Sequence, residues 1–324
     1  MKTYGVGVIG CGSVWEKGHQ FAMERSQRVK CVRVYDTARE RAEAAAAATG
    51  ARVAGSLKEV LEAGDVDIVS VLTPAVTHAD IVEAGARNGK HFMLEKPMSD
   101  SLADAGRIVR AIADAKVRCF HPTLRALYPD LFNKLAELSA EDGVLGPLRC
   151  GLFHMVGDAF GWAPWFRDRT QCFPASEYSS HVLDTFLALT RAEPASVFAH
   201  VGRHCRDFDQ DDVISILVTF QDGRYFQMNV NWVLDNKWGG AFQRWDLVCR
   251  RGGIQHEWSG ARWAGAAGKG EYISPRAGTQ GNRWEHYDQL ADAIDVGGSV
   301  SPNERDGLAY IRIVEAARQS ARTG

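Results

Sequence analysis

The 324-residue chain lacks a long apolar run, a Cys-x-x-Cys pair and a block of like charge. A membrane-crossing helix needs about 20 consecutive apolar residues, and no stretch approaches that length, so no membrane partner is expected. Seven cysteines (Cys11, Cys31, Cys119, Cys150, Cys172, Cys205, Cys249) are scattered and odd in number. That argues for reduced thiols in a cytoplasm. The first residues lead straight into a strand, without the basic region, apolar segment and cleavage site of a signal peptide, and a cytoplasmic location is the expectation. A formal charge of −2 and a pI near 6.6 offer nothing to a phosphate backbone, so no nucleic-acid partner is expected. No metal is expected either. His200, His204 and Cys205 have no third ligand at a recognised spacing. Asp207, Asp209 and Asp211 begin like an EF-hand loop, but Asp212 stands at its glycine position and Val218 at its glutamate.

What is present is ordinary globular composition, 45% hydrophobic and 24% charged, in a chain long enough for two domains. Tyr4 to Ile9 reads as a buried strand, followed by Gly10-Cys11-Gly12-Ser13-Val14-Trp15. This is Gly-x-Gly-x-x-Gly with Trp15 at the last glycine. The first two glycines permit a tight turn and close approach to a pyrophosphate at the next helix's N-terminus. The third serves helix–strand packing, so its loss is tolerable. Gly10, Gly12, Ser13 and Val14 are therefore candidate cofactor contacts.

Lys30 to Tyr35 predicts a second strand, and it ends in Asp36. An acidic residue about 20 or more positions beyond such glycines holds a ribose diol. The other reading of Asp36 is a cap for the alanine-rich helix that ends near Gly50. Asp36 also sits where a 2′-phosphate would have to fit. Two like charges about 4 Å apart cost roughly 4 kcal/mol at an effective dielectric near 20, so NAD is expected over NADP, with nearby Arg39 softening the preference.

The alternation continues. Helices are expected at 38–49, 56–63, 77–88 and 99–115, and strands at 67–72, 91–94 and 117–120. Strands alternating with helices predict a doubly wound parallel sheet. In such a sheet ligands gather beyond the carboxyl ends of the strands. Glu95-Lys96-Pro97 closes the strand at 91–94, and the proline forces a turn there. Lys96 is the leading candidate for chemistry; its plain alternative is a surface Lys-Pro turn.

In order along the chain, Gly-Val-Ile-Gly-Cys-Gly, Asp36, Thr73-Pro74 with His78, Gly89-Lys90-His91 and Glu95-Lys96-Pro97 resemble the Gfo/Idh/MocA family, named for glucose–fructose oxidoreductase, inositol dehydrogenase and a rhizopine-catabolism protein. The likeness is continuous over about the first 125 residues. It implies a Rossmann domain over 1–122, with Thr73, Pro74, His78, Glu95 and Lys96 joining the cofactor contacts, and a cis Lys96-Pro97 peptide.

From Leu148 the texture changes to strands, expected at 148–156, 195–204, 213–220, 224–233 and 243–250 after a crossing helix to about Ser139. Asp222-Gly223 supplies the positive-φ turn of a hairpin. Residues 260–281, with six glycines and little apolar pattern, read as a loop. Helices at 286–293 and 304–321 close the chain. Residues 123–324 thus read as an α+β domain with an open, mainly antiparallel sheet, serving substrate binding and oligomerisation, and the last helix is a candidate to pack back on the first domain.

Within that half, Glu177, His181 and Asp184 share a helical face by their i, i+4 and i+3 spacing. A carboxylate one turn from an imidazole can orient it and stabilise its charged form; a capping glutamate and a core histidine are the plain alternatives. The resemblance implies that Lys96, Glu177 and His181 handle a substrate hydroxyl, since the family's second signature is Asp-x-Gly-x-His-x-x-Asp. Two positions depart from it, with Glu177 at the aspartate and Ser179 at the glycine. Arg125, Trp165, Arg167 and Asp184 are candidate substrate contacts. Nine tryptophans could include stacking platforms for a sugar. The expected function is hydride transfer between a secondary hydroxyl of a sugar, cyclitol or related polyol, with sugar acids included, and NAD, in a homodimer or homotetramer built through the C-terminal sheet. The alternatives are a nucleotide-sensing protein without chemistry and an oxidoreductase with a tightly held, recycling cofactor.

Overall fold

The structure, a computed structural model, describes residues 2–158, 164–205, 207–233, 242–277 and 283–323. The chain divides into two compact units, Met1–Leu127 with Gly278–Leu308, and Tyr128–Ala277 with Ala309–Gly324.

In the first unit, β1 (Tyr4–Ile9), α1 (Gln20–Arg25), β2 (Val29–Tyr35), α2 (Arg39–Thr49), β3 (Arg52–Val53), α3 (Leu57–Glu62), β4 (Ile68–Val71), α4 (His78–Arg87), β5 (His91–Leu94), α5 (Leu102–Ala115) and β6 (Cys119–Phe120) follow one another. The strands form one parallel sheet ordered β3-β2-β1-β4-β5-β6. Strand order reverses between β1 and β4, the switch point at which doubly wound sheets open a ligand crevice. Continuous apolar runs explain the buried strands: all four residues of β4 are buried, as a sheet covered on both faces requires. Ser56 and Ser101 cap α3 and α5 by accepting the N–H groups of Glu59 and Asp104.

Trp15 is 1% exposed and joins the core cluster that includes Val6, Cys11, Ala42 and Tyr287. A π-helical turn, Trp15–His19, precedes α1. The wider turn seats an indole where the glycine fingerprint has a hydrogen. Burying a large apolar side chain of this kind contributes about 1.5–3 kcal/mol.

The second unit carries α7 (Pro129–Leu138), which follows the short α6 (Leu124–Leu127), then β7 (Leu148–Val156), α8 (Pro174–Thr190), β8 (Pro194–Gly202), β9 (Val213–Phe220), β10 (Tyr225–Asn231), β11 (Phe242–Cys249), β12 (Gly252–His256), β13 (Gly260–Gly265) and β14 (Gly268–Ile273). These eight strands form a sheet ordered β14-β13-β12-β11-β7-β10-β9-β8. Only the β7–β10 pair among them is parallel. Helix α8 lies on β7 and β10. Closing the chain are α9 (Trp284–Val296) in the first unit and α10 (Glu304–Thr323), whose first turn groups with the first unit and whose remainder groups with the second.

Residues 260–273 correct the expected loop: they are the β13–β14 hairpin, joined through Ala266-Ala267 with Gly265 opposite Gly268. Their glycines mark close approach rather than irregularity. A Cβ on Gly265 would lie 2.5 Å from the Arg251 carbonyl oxygen, and one on Gly270 would lie 2.3 Å from the Trp263 ring. The last part of that stretch, 278–281, lies outside the described residues.

Candidate active site

In the first unit the candidates follow the carboxyl ends of adjacent parallel strands: Asp36 after β2, Gly10 after β1, Thr73 after β4 and Lys96 after β5. Gly10 has φ +95°, and a Cβ there would meet the Leu72 carbonyl oxygen at 2.8 Å. Only glycine satisfies both demands. Gly12 is open, with nothing nearer to an added Cβ than Arg41 Nη1 at 3.9 Å. Ser13 and Val14 are exposed beside it. This is the shape a pyrophosphate needs, a bare backbone with room above it.

Asp36 is half-buried, and each of its carboxylate oxygens accepts a backbone N–H, Oδ2 from Cys11 at 2.7 Å and Oδ1 from Ala38 at 2.8 Å. It therefore organises the turn while keeping lone pairs for a diol. Arg39 is exposed and pairs with Glu43 at 2.8 Å. Thr73 bonds Thr77 through their hydroxyls at 2.7 Å, and the Thr77 hydroxyl donates to the Pro74 carbonyl at 2.8 Å.

His78 is fully buried. Its Nε2 lies 2.8 Å from the Thr73 carbonyl and its Nδ1 lies 3.1 Å from the Met98 carbonyl. The structure thus gives it the role of a strut between two strand-end turns. His121 also meets a strand end, with Nδ1 2.9 Å from the Leu94 carbonyl. Burial pushes both imidazoles below their ordinary value of 6.5. Lys96 is half-buried in the turn these histidines brace, and the Lys96-Pro97 peptide is cis.

Glu95 is 4% exposed and is engaged inward: its Oε1 accepts from His19 Nε2 at 2.9 Å and from Arg283 Nη1 at 2.5 Å, and its Oε2 accepts the Lys96 N–H at 3.0 Å. His19, Arg283, Tyr287 and His121 had no motif to announce them. Arg125 gives its guanidinium to Ser301 at 2.9 Å and to Asp306 at 3.0 Å.

In the second unit, α8 brings Glu177, His181 and Asp184 onto one helix, as their spacing predicts. Pro174 occupies the first turn, where its missing N–H costs nothing. Glu177 is 3% and Asp184 2% exposed, while His181 is half-buried. Trp258 stands edge-on to the His181 ring, with centroids 5.5 Å apart and planes at 83°. Nothing but the richness in tryptophan pointed to it. Ahead of α8, Trp165 stacks on Phe166 at 3.9 Å, and the exposed Arg167 lies over the Phe208 ring at 4.7 Å. Buried Gln210 ties this segment down, donating to the carbonyls of Phe166 and Cys172, each at 3.1 Å. His200 and His204 stack with centroids 5.8 Å apart. Among the described residues no group of three or more His, Cys, Asp or Glu could hold a metal ion, and no helix is long and apolar enough to cross a membrane.

Two family models match. One, described as an oxidoreductase family with an NAD-binding Rossmann fold, covers residues 4–122; the other, the GFO/IDH/MocA C-terminal domain, covers residues 133–255. The chain belongs to the Gfo/Idh/MocA oxidoreductase family. Its first unit therefore carries an NAD-binding Rossmann domain, and the open glycine turn with Asp36 beside it fits that cofactor. Among Gfo/Idh/MocA relatives, the inositol 2-dehydrogenase of Rhizobium meliloti strain 1021 is 24% identical over 98% of this chain and 97% of its own. An uncharacterized oxidoreductase of Streptococcus pneumoniae serotype 4 is 27% identical over 74% of this chain, and the match spans 63% of that relative's length. An Agrobacterium radiobacter oxidoreductase solved with NAD+, L-tartaric acid and magnesium shares the fold, with a TM-score of 0.86 at 20% identity over 100% of this chain and 97% of that one.

Proposed function

We propose that this protein is an NAD-dependent dehydrogenase that oxidises a secondary hydroxyl of a sugar, cyclitol or related polyol, or of a sugar acid. The observation that carries the reading is Lys96, a cation at a strand end of an NAD-binding sheet, in a turn fixed by Glu95, His78 and His121. Full-length similarity to an inositol 2-dehydrogenase supports the substrate class.

Gly10, Gly12, Ser13 and Val14 would hold the pyrophosphate and Asp36 the ribose diol of NAD, which when bound supplies the acceptor for a hydride. Lys96 donates a hydrogen bond from Nζ to the substrate oxygen and stabilises negative charge as it develops. His181 takes the hydroxyl proton on an imidazole nitrogen, the role of a positioned general base. Glu177, one turn earlier, orients that ring. Arg167 and Trp165 are assigned to the substrate, the arginine as the group that would pair a carboxylate. Asp184 supports the helical face that carries His181.

A second copy of the chain is the expected partner. The outer face of the eight-stranded sheet exposes Phe198 (61%) beside its cross-strand neighbour Leu217, and Tyr225 in the same row as Val248. Light scattering of the parent and of Leu217→Asp tests this, with loss of the oligomer expected in the variant.

The function is tested by incubating the protein with NAD and a panel of polyols, sugars and sugar acids while following absorbance of the reduced nicotinamide. Turnover on a member of the panel supports it. NAD binding without turnover on any member would favour a sensing role, and nucleotide retained through purification would favour a recycling cofactor.

A further inference from the structure

Four buried side chains of the first unit form a hydrogen-bonded row that ends on the backbone of Lys96. Ser70 Oγ lies 2.7 Å from the Tyr287 hydroxyl, that hydroxyl lies 2.7 Å from His19 Nδ1, and His19 Nε2 lies 2.9 Å from Glu95 Oε1. None of the four is more than 4% exposed.

The direction of every proton in the row follows from the charge at its end. Burial alone would raise the Glu95 carboxyl, but Arg283, His19 and Lys96 together hold it well below the usual carboxylate range. A carboxylate only accepts, so His19 donates from Nε2. Burial keeps the imidazole below its ordinary value and hence neutral, which leaves Nδ1 as an acceptor for the Tyr287 O–H. The tyrosine oxygen then accepts from Ser70. Glu95 Oε2 remains for the Lys96 N–H at 3.0 Å.

Arg283 is what makes this assignment hold. It lies 188 positions beyond Glu95 and donates from Nη1 to the same Oε1 at 2.5 Å. The π-helical turn makes room for it: a Cβ on Gly18 would lie 2.7 Å from Arg283 Nε and 2.8 Å from its Cδ. His19, the next residue in that turn, contacts the same carboxylate.

We propose that Arg283 is a positioning residue for Lys96, the cation that keeps Glu95 a charged acceptor for His19 Nε2 and for the Lys96 N–H and so fixes the turn that presents the lysine. This rests on the role given to Lys96 above. Without Arg283, Glu95 faces Lys96, and around it His19, His78, His121, His286 and Tyr287. Its buried carboxyl then rises. Once protonated it donates from one oxygen, His19 has no acceptor for its Nε2–H and must change tautomer, the row reverses, and the contact with the Lys96 N–H falls from a charge-assisted bond to a weaker neutral one.

The test compares the parent with Arg283→Met, Glu95→Gln and the double variant, in melting against pH without cofactor and in turnover against pH with it. In Arg283→Met turnover should gain a new acid limb, lowered by about 10–100-fold near pH 6, the scale of a misplaced reacting group, and recovering towards pH 8. Its melting should run the other way, with a loss relative to the parent that is largest near pH 8 and shrinks as pH falls and the raised carboxyl takes up its proton. The KM for NAD should stay within a few-fold of the parent. Adding Glu95→Gln should remove the pH dependence of both effects, since an amide does not titrate. Arg283→Lys should keep the parental limb, and it serves as the comparison if Arg283→Met does not fold. Parental pH profiles in Arg283→Met, a limb that Glu95→Gln leaves in place, or a new limb in Arg283→Lys would each overturn the proposal. Parental turnover in Lys96→Ala would instead sink the functional reading, while the pH dependence of melting would still report on Arg283 and Glu95.

Discussion

Asp36 accepts the backbone N–H of Cys11 at 2.7 Å, so the end of β2 is tied to the glycine turn that follows β1. The same carboxylate accepts the Ala38 N–H with its other oxygen. A residue assigned to cofactor choice is therefore also part of the turn's framework. The parent should prefer NAD over NADP by about 10–10³, following from a like-charge cost of roughly 4 kcal/mol softened by Arg39. Asp36→Asn, which keeps one acceptor oxygen and loses the charge, should erase most of that preference. Binding constants for both nucleotides check this, and a preference unchanged in the variant would count against it.

Gly10→Ala should fold poorly and bind nucleotide weakly. At φ +95° an alanine is strained, and its Cβ would press on the Leu72 carbonyl; strain of this kind costs about 1–3 kcal/mol. Urea unfolding and nucleotide titration of the same preparation measure the two effects.

The Rossmann half was legible because each of its signals is local. A glycine turn, a strand-end acid and a Lys-Pro turn state their geometry within a few residues, and Glu177, His181 and Asp184 needed only helical spacing. Two features were not legible. Gly260 to Ile273 hid a hairpin because glycine in a strand looks like glycine in a loop, until Trp263 and the Arg251 carbonyl are seen packed against the missing side chains. Arg283 and Tyr287 hid because their partners, Glu95, His19 and Ser70, are remote in sequence, and no periodicity marks a contact across that distance.

Acid should destabilise the fold before carboxylates titrate. Burial holds His19, His78 and His121 below 6.5, and pushes His91 down to about 4 and His256 and His286 down to about 3. The unfolded chain therefore binds protons near pH 6.5 that the folded chain refuses. Stability is fully present above about pH 6.5 and falls as pH drops towards the folded values, with each such histidine adding about 1.4 kcal/mol per pH unit to the slope. Glu304, whose carboxyl burial raises above 4.5, opposes this where it titrates. Urea unfolding at a series of pH values from 7.5 to about 5 should show a steady loss, and a flat profile would contradict the neutral, buried assignment.

Residue 177 should shape the pocket. A glutamate reaches one methylene further than the family's aspartate, and Glu177 is buried one turn before His181. His181→Ala should lower turnover by about 10²–10⁴, and Glu177→Gln by less, because hydrogen bonding survives the loss of charge. Glu177→Asp should shift the polyol profile towards that of more typical family members. An unchanged profile with unchanged turnover would return Glu177 to the role of a residue in the first turn of α8.

The role proposed for Lys96, donation to the substrate oxygen, is tested by steady-state turnover of Lys96→Ala measured beside NAD affinity. Loss of one preorganised donor at a developing oxyanion costs about 10²–10³ in rate. A fall of that size is expected on the best substrate of the panel, with the NAD dissociation constant and melting temperature close to the parent's. Parental turnover in the variant would contradict it and leave Lys96 a turn residue.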